Sequence, residues 1–289
     1  MYAEEYLTKK GKCDMLDVLK IFILGIVEGI TEWLPVSSTG HLILVGDLLK
    51  PGLSDAFMEM FNVVIQLGAI MAVVVLYFHK LNPFSPSKTN KQKMLTWQMW
   101  IKVVIASVPA ALIGLPFNDI LDELFYKPLP VAVMLIVYGV LFIIVETRNA
   151  QKKPSVRRIS DLTVGMLVWI GIFQMLALIP GTSRSGATIV GALMIGISRE
   201  VAAEFTFFLA IPAMFGASLL KLIKFGFKFT GQELGLLLLG CAVSFIVSVF
   251  AIKFLMGYIK KNDFKIFGYY RIILGGLIVL VTLIQMVFV

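Results

Sequence analysis

Two carboxylates lie four residues apart within an apolar stretch of the chain. Glu28 and Glu32 have Leu, Ile, Val and Trp side chains as their sequence neighbours. On a helix, this spacing places both carboxylates on one face. Two like charges in apolar surroundings are costly unless a cation, a shared proton or an arginine compensates them. Because oxygen ligands suit Mg²⁺ and Ca²⁺, we predict that Glu28 and Glu32 hold a divalent cation; a structural hydrogen-bonding pair is the alternative.

A hydroxyl-rich turn follows the second glutamate. Residues 37–41 read Ser-Ser-Thr-Gly-His, which places three hydroxyls and an imidazole at the start of a predicted helix. The positive end of that helix disfavours an imidazolium, so His41 stays available as a neutral base or nucleophile. A serine that only caps the helix is the alternative.

A second polar turn, Gly-Thr-Ser-Arg-Ser-Gly at 181–186, interrupts another apolar stretch. Its glycines allow backbone N–H groups to approach an anion, and the guanidinium of Arg184 suits phosphate oxygens. Alternatively, Arg184 only neutralises Glu28 or Glu32, and the two roles are compatible. The residues that we predict to bind an anionic substrate are Ser37, Thr39, Gly181, Thr182, Ser183, Ser185, Gly186 and Thr188.

The composition indicates that these turns are carried by membrane helices. The chain has 289 residues, of which 58% are hydrophobic and only 15% are charged. A soluble domain carries about 25% charged residues. This composition therefore disfavours a soluble enzyme, a nucleic-acid binder, a disordered segment and a disulfide scaffold, and we expect a multi-pass protein of an inner membrane. Cys13 and Cys241 form no disulfide or metal-binding pattern.

Apolar segments of spanning length number six. They lie near 61–79, 103–121, 130–146, 201–220, 234–256 and 267–289. Two further regions, 16–49 and 162–197, are broken by the polar turns, and the pieces after the breaks are too short to cross about 30 Å of hydrocarbon. We predict an all-α polytopic membrane protein with six transmembrane helices and two re-entrant helical hairpins.

The two interrupted regions resemble each other. Gly25 and Glu28 match Gly171 and Gln174, and Gly40 matches Gly186. With three spans per half, the second copy is inverted in the membrane, an architecture whose site lies between the repeats. We therefore predict one domain over 1–289 that contains inverted repeats over about 16–146 and 161–289.

The basic residues predict the orientation. The N-terminus (with Lys9, Lys10 and Lys12) and the loops near 50–57, 118–129 and 221–233 hold 9 of the 26 Lys and Arg residues. The loops near 80–102, 147–160, 198–200 and 257–266, with flanks that include Arg271, hold 16. The second group is expected in the cytoplasm, so the active site is expected to face outward. The remaining basic residue is Arg184, in the second polar turn.

Both motifs are long, and together they carry a resemblance that covers essentially the whole chain. The segments EGITEWLPVSSTGH (28–41) and PGTSRSGAT (180–188) resemble those of the bacterial undecaprenyl-diphosphate phosphatases, also called bacitracin-resistance proteins. The resemblance implies a phosphoric-anhydride hydrolase that converts undecaprenyl diphosphate to undecaprenyl phosphate and phosphate with a divalent cation, Mg²⁺ or Ca²⁺. It recycles the lipid carrier of peptidoglycan synthesis and confers bacitracin resistance. The catalytic residues implied are Glu28, Glu32, Ser38, His41 and Arg184.

Two reaction routes stay open from the sequence. Either Ser38 attacks the phosphorus with His41 as its base, or His41 activates water or attacks directly. The expected partners are a polyprenyl diphosphate and membrane lipids, with no nucleic acid. The competing function is an ion-coupled transporter or lipid flippase, because inverted repeats and intramembrane carboxylates are typical of such proteins.

Overall fold

The computed structural model describes residues 15–125 and 127–288, and these residues form a helical protein. The predictions that involve Lys9, Lys10, Lys12 and Cys13 fall outside the described residues. The helices are α1 Met15–Thr31, α2 Ser38–Leu49, α3 Asp55–Val64, α4 Gln66–Leu76, α5 Phe78–Leu81, α6 Asn90–Phe125, α7 Pro128–Asn149, α8 Val164–Leu176, α9 Arg184–Met194, α10 Arg199–Phe225, α11 Gly231–Tyr258 and α12 Lys265–Phe288.

Six helical segments of the described residues are long and apolar enough to cross a membrane, which confirms the predicted number. They are Asp55–Leu76, Asn90–Gly114, Pro128–Asn149, Arg199–Phe225, Gly231–Tyr258 and Lys265–Met286. The first consists of α3 and α4, which are separated at Ile65. The second belongs to the 36-residue helix α6, which continues through Pro109 and Pro116.

The two interrupted regions each form a pair of helices joined by a polar turn. In the first pair α1 packs against α2, and in the second α8 packs against α9. The returning helices α2 and α9 have 12 and 11 residues. At the α-helical rise these lengths are about 18 and 16 Å, well short of a membrane crossing. The helical hairpins expected from the sequence are therefore present.

The contacts between the two halves are reciprocal. Helix α1 of the first half packs along α11, the second span of the second half, whereas α8 packs along α6, the second span of the first half. The third spans, α7 and α12, pack along each other. A Cβ on either Gly139 or Gly268 would lie 2.7 Å from the carbonyl oxygen of the other, so these two backbones meet without a side chain between them. The inverted repeat remains a prediction, and these exchanged contacts support it.

Candidate active site

The two polar turns meet at one carboxylate. Arg184 donates a hydrogen bond from Nη2 to Glu32 Oε1 at 2.8 Å, and Ser38 donates from Oγ to Glu32 Oε2 at 2.6 Å. Ser185 adds a hydrogen bond from its hydroxyl to the Glu32 carbonyl oxygen at 3.2 Å. Glu32 thus joins the first turn to the second, 152 residues further along the chain.

The turns share an unusual backbone conformation. Ser37 and Ser183 precede the returning helices with φ angles of 76° and 68°. Positive φ is uncommon for residues other than glycine and is concentrated at functional sites. The hydroxyl of Ser37 accepts from the Gly40 N–H at 3.4 Å, and that of Ser183 accepts from the Gly186 N–H at 3.2 Å. Each serine caps a helix, and the residue that follows it is Ser38 in one turn and Arg184 in the other.

A cavity of about 480 Å³ opens beside this carboxylate. Its polar wall comes from the two turns and includes Glu32, Ser37, Ser38, Thr39, Gly181, Ser183 and Arg184. The facing wall consists mostly of small residues of α6 and α10, namely Ser107, Ala110, Ala111, Gly114, Pro212, Ala213, Gly216 and Ala217. We call this second surface the small-residue wall. One end of the cavity can therefore bind an anion while the rest accepts an apolar chain.

Four of the predicted substrate ligands lie behind the cavity wall rather than on it. They are Thr182, Ser185, Gly186 and Thr188, all of which are buried. The Thr188 hydroxyl is 2.9 Å from both the Arg184 carbonyl oxygen and the Thr206 hydroxyl. Arg184 in turn donates from Nη1 to the Thr206 carbonyl oxygen at 3.2 Å. In this structure these four residues do not face the cavity, and the guanidinium of Arg184 is held by the backbone carbonyl oxygen of Thr206 and the carboxylate of Glu32.

Glu28 lies one helical turn before Glu32 and is completely buried. Neither of its carboxylate oxygens has a hydrogen-bond partner among the described residues, and the charges of Glu32 and Arg184 act on it. An orphaned buried carboxylate is costly unless a cation or a proton compensates it. The described residues contain no cluster of three His, Cys, Asp or Glu side chains that could hold a metal alone. The unpartnered oxygens of Glu28 would suit a cation, although Glu28 does not line the cavity and both oxygens of Glu32 already accept hydrogen bonds.

His41 faces α12 in this structure. Its Nδ1 lies 2.7 Å from the Ser37 carbonyl oxygen, and its Nε2 lies 2.7 Å from the hydroxyl of Tyr270. The two rings are nearly parallel, with centroids 5.6 Å apart. Because a carbonyl oxygen only accepts, Nδ1 carries the hydrogen and Nε2 is left to accept from the tyrosine in the neutral imidazole. The structure brings Ser38 to Glu32, not to His41.

Arg271 corrects the charge assignment made from the sequence. It was counted with the cytoplasmic loops and their flanks, yet it is fully buried within α12. Its guanidinium donates to the carbonyl oxygens of Pro35, Gly181 and Thr182 at 3.2, 2.9 and 2.8 Å. One side chain thus links both polar turns, since Pro35 belongs to the first and the other two belong to the second. A charge four residues inside the predicted span 267–289 was the signal that could have identified it.

The second turn is also closely packed against α7. Gly181 has a φ of 90°, and a Cβ at this position would lie 2.4 Å from the Val131 carbonyl oxygen. Only glycine combines this conformation with this approach. The close contact fixes the carbonyl oxygen that Arg271 binds.

A polar stripe of Glu59, Asn62 and Gln66, which runs from α3 into the start of α4, contributes little to the cavity. Only Gln66 of this stripe is on the lining, and Gln174 lines it from α8. Glu59 instead pairs with Lys221, and Glu204 pairs with Lys80.

Comparison with known proteins gives consistent matches over most of the chain. A profile of the family described as bacitracin resistance protein BacA matches residues 21–277. A protein of Acetivibrio thermocellus named undecaprenyl-diphosphatase is 65% identical over 266 residues, which cover 92% of this chain and 98% of that protein. Proteins with the same name from Lachnoclostridium phytofermentans and Enterococcus faecalis are 61% and 60% identical and cover 92% and 90% of this chain. The matched regions are 97% and 95% of those two proteins.

Proposed function

The chain belongs to the family of the bacitracin resistance protein BacA, and we propose that the cavity between its two polar turns is the active site of this membrane undecaprenyl-diphosphatase. The enzyme hydrolyses undecaprenyl diphosphate to undecaprenyl phosphate and inorganic phosphate. This activity recycles the lipid carrier of peptidoglycan synthesis and is the basis of bacitracin resistance. We also propose the roles of its residues, its divalent cation and its outward orientation in the membrane.

The observation that carries the proposal is the shared carboxylate of Glu32. It accepts from Ser38 on one oxygen and from Arg184 on the other. A hydroxyl, a carboxylate and a guanidinium within hydrogen-bond distance provide a nucleophile, a proton acceptor and a phosphate ligand. An ion-coupled carrier has no need of a hydroxyl aligned in this way.

We favour Ser38 as the nucleophile. Its Oγ forms a bond to the terminal phosphorus while the bond from that phosphorus to the bridging oxygen breaks, and undecaprenyl phosphate leaves. The hydroxyl proton passes to Glu32, which already accepts it in a hydrogen bond of 2.6 Å. Water then attacks the phosphorus of the phosphoserine, and the bond from that phosphorus to Ser38 Oγ breaks. Glu32 returns its proton to Oγ, and the protons of the water leave with the free phosphate. Arg184 stabilises the charge on the transferred group in both steps.

In the alternative route, His41 rather than Ser38 attacks the phosphorus or activates water. With Nδ1 toward the Ser37 carbonyl oxygen, the nitrogen that could attack or activate water is Nε2, which Tyr270 occupies. This route therefore requires the His41 ring to leave its tyrosine partner. No such movement is needed for Ser38, and this favours the serine.

A divalent cation is part of the proposal, with Glu28 and Glu32 as its protein ligands. The unpartnered oxygens of Glu28 support this assignment. When bound, the cation supplies positive charge against the diphosphate. Without it, the buried carboxylates and the anionic substrate would repel each other.

Phosphate release tests the proposed site. The full chain, purified in detergent, is given a polyprenyl diphosphate with EDTA, Mg²⁺ or Ca²⁺. We expect release from the wild type with a cation and a loss of about 10²-fold or more with Arg184→Ala, because a charge-stabilising donor is removed. Arg148→Ala, which changes an exposed arginine at the end of α7, is the matched control. Absence of release from the wild type would favour the transporter or flippase, and equal activity of Arg184→Ala would reject this site.

A label on the terminal phosphorus distinguishes the routes. After an acid quench, an acid-stable phosphoserine that disappears in Ser38→Ala supports the favoured mechanism. An acid-labile label that disappears in His41→Ala assigns the attack to the imidazole. If no label is found on the protein under conditions of rapid turnover, water is the direct nucleophile.

A further inference from the structure

A second cavity lies at the opposite end of the two helices that form the small-residue wall. Its volume is also about 480 Å³, and its lining includes residues from the first turns of α6 and α10. Along α6 the two linings come closest at Lys102 and Ser107, which the helical rise separates by about 7 Å. We call it the basic cavity.

Five cationic side chains line the basic cavity, against one carboxylate among its described lining residues. The cations are Lys80, Lys88, Lys102, Arg157 and Arg158, and the carboxylate is that of Glu204. Glu204 already forms an ion pair with Lys80. The remaining four positive charges converge on one space without a carboxylate on its lining to neutralise them.

Two of these lysines are held by uncharged groups. Lys88, which is 8% exposed, donates to the carbonyl oxygen of Asn82 at 2.9 Å and to the hydroxyl of Thr96 at 2.7 Å. Lys102 donates to the carbonyl oxygens of Ile159 and Ser160. Carbonyl and hydroxyl oxygens fix the position of an ammonium group without cancelling its charge. The charge of Asp161 acts on Lys102, whereas no such carboxylate among the described residues acts on Lys88, so the field of Lys88 in particular acts on the cavity.

The two arginines supply the unoccupied donors. Arg157 and Arg158 are exposed, and the structure gives neither guanidinium a hydrogen bond or ion pair among the described residues. Each guanidinium presents a planar fork that matches two oxygens of a phosphate group.

The basic cavity is separate from the active site. Between the two cavities along α6 and α10 lie Val103, Ala106 and Leu209, all fully buried in the apolar core. Next to them, Trp33 packs on Phe207 with ring centroids 5.2 Å apart. The two cavities are therefore filled independently.

We propose that the basic cavity is a second anion site, which binds a phosphate group at the membrane surface. Phosphate is the anion of choice because several fixed cations surround one space, and because lipid phosphates lie at the depth where spanning helices end. A lipid headgroup and free phosphate share this chemistry. The inference does not depend on the catalytic assignment, since none of its residues belongs to the active site.

The test compares two double variants of the full chain in detergent. Arg157→Gln with Arg158→Gln removes the free donors of the cavity. Lys260→Gln with Lys261→Gln removes the same charge from exposed residues that follow α11 and do not line the cavity. Both are made in the Arg184→Ala background, so that the active site does not contribute to binding.

Native mass spectrometry titrates phosphatidate, with phosphatidylcholine as the zwitterionic reference, and equilibrium dialysis measures inorganic phosphate. We expect one preferred phosphatidate per chain, bound about tenfold more weakly by the arginine variant and within about twofold by the lysine variant. Inorganic phosphate that binds alone and displaces phosphatidate identifies free phosphate as the ligand; if only the lipid binds, the ligand is a headgroup. Equal weakening in both variants, or in neither, would overturn the proposal.

Activity with Arg184 intact provides a separate readout. The arginine variant is expected to release phosphate from polyprenyl diphosphate at the wild-type rate under saturating substrate, which shows that its fold and catalytic site are preserved. If the arginine variant has normal catalysis but binds phosphatidate as tightly as the lysine variant, the second site is rejected and the proposed active site is not affected.

Discussion

The hydroxyl of Ser38 lies 2.6 Å from Glu32 Oε2, on the carboxylate whose other oxygen binds Arg184. Ser38 is the first residue of α2 and Arg184 is the first residue of α9, so Glu32 couples the starts of the two returning helices. The Glu32 carboxylate, which joins the two hairpins, is also the group that can accept the serine proton. A substitution of Glu32 can therefore affect both stability and catalysis, and conservative variants are needed to separate the two effects.

Glu32→Gln is expected to lower kcat by about 10²–10⁴-fold, the usual effect of removing a proton acceptor. The amide has the same shape, its oxygen can still accept from Arg184, and Ser185 still donates to the backbone carbonyl oxygen of this residue, so the hairpins should remain joined. Phosphate release at saturating substrate measures the effect.

Glu59→Gln is the matched control for this substitution. It also neutralises a carboxylate that pairs with a cation, but Glu59 does not line the active-site cavity. A Glu32→Gln enzyme as fast as Glu59→Gln would contradict the role of Glu32 as a base.

Arg271→Met is expected to reduce stability strongly, by about 3 kcal/mol or more, because it leaves buried carbonyl oxygens of both polar turns unsatisfied. Thermal unfolding in detergent measures the loss. Arg148→Met, at an exposed position of α7, should change the midpoint little. If Arg271→Met unfolds at the wild-type temperature, the guanidinium does not hold the turns together.

Gly181→Ala is expected to destabilise the second hairpin by about 1–3 kcal/mol, since an L side chain is strained at a φ of 90° and its Cβ would contact Val131. Gly165→Ala is the control, because a Cβ there meets nothing within 4 Å. The thermal unfolding midpoint of Gly181→Ala should therefore be lower than that of Gly165→Ala. Equal midpoints would show that the turn can move away from α7.

Thr39→Cys tests the outward orientation proposed for the active site. In a chain with Cys13→Ser and Cys241→Ala, a membrane-impermeant methanethiosulfonate reagent added to intact cells should label this cysteine in the cavity. Ser87→Cys, on an exposed loop that the basic residues assign to the cytoplasm, should react only after the cells are opened. The reverse pattern would place the site on the cytoplasmic side.

The number of spans and the two hairpins could be predicted from the sequence. The hydrogen bond from Ser38 to Glu32 could not, because the sequence paired Ser38 with His41. The length of an apolar segment in the sequence shows whether it can cross the membrane. A polar turn inside such a segment must be buried in protein or line a water-filled cavity. The separation of α3 from α4 at Ile65 could not be predicted, because residues 61–79 contain no proline and no polar turn to mark it.

The surroundings of His41 and Arg271 could not be predicted either. Both depend on how α12 packs against the two polar turns. The contact between His41 and Tyr270, for example, joins residues that are more than 200 positions apart in the sequence. An arginine near the end of an apolar segment is ordinarily expected to extend its charge to the membrane surface. Here the carbonyl oxygens of the turns provide an alternative that only the tertiary structure reveals.

The small-residue wall also bears on how resistance to an inhibitor could arise. A compound that fills the space beside Ala110, Gly114 and Gly216 would be excluded most simply by a larger side chain at one of these positions. The same enlargement would narrow the cavity that the lipid substrate needs, so escape by a single substitution would also slow the enzyme. We therefore expect escape from a ligand bound at this part of the cavity to reduce the enzyme's activity.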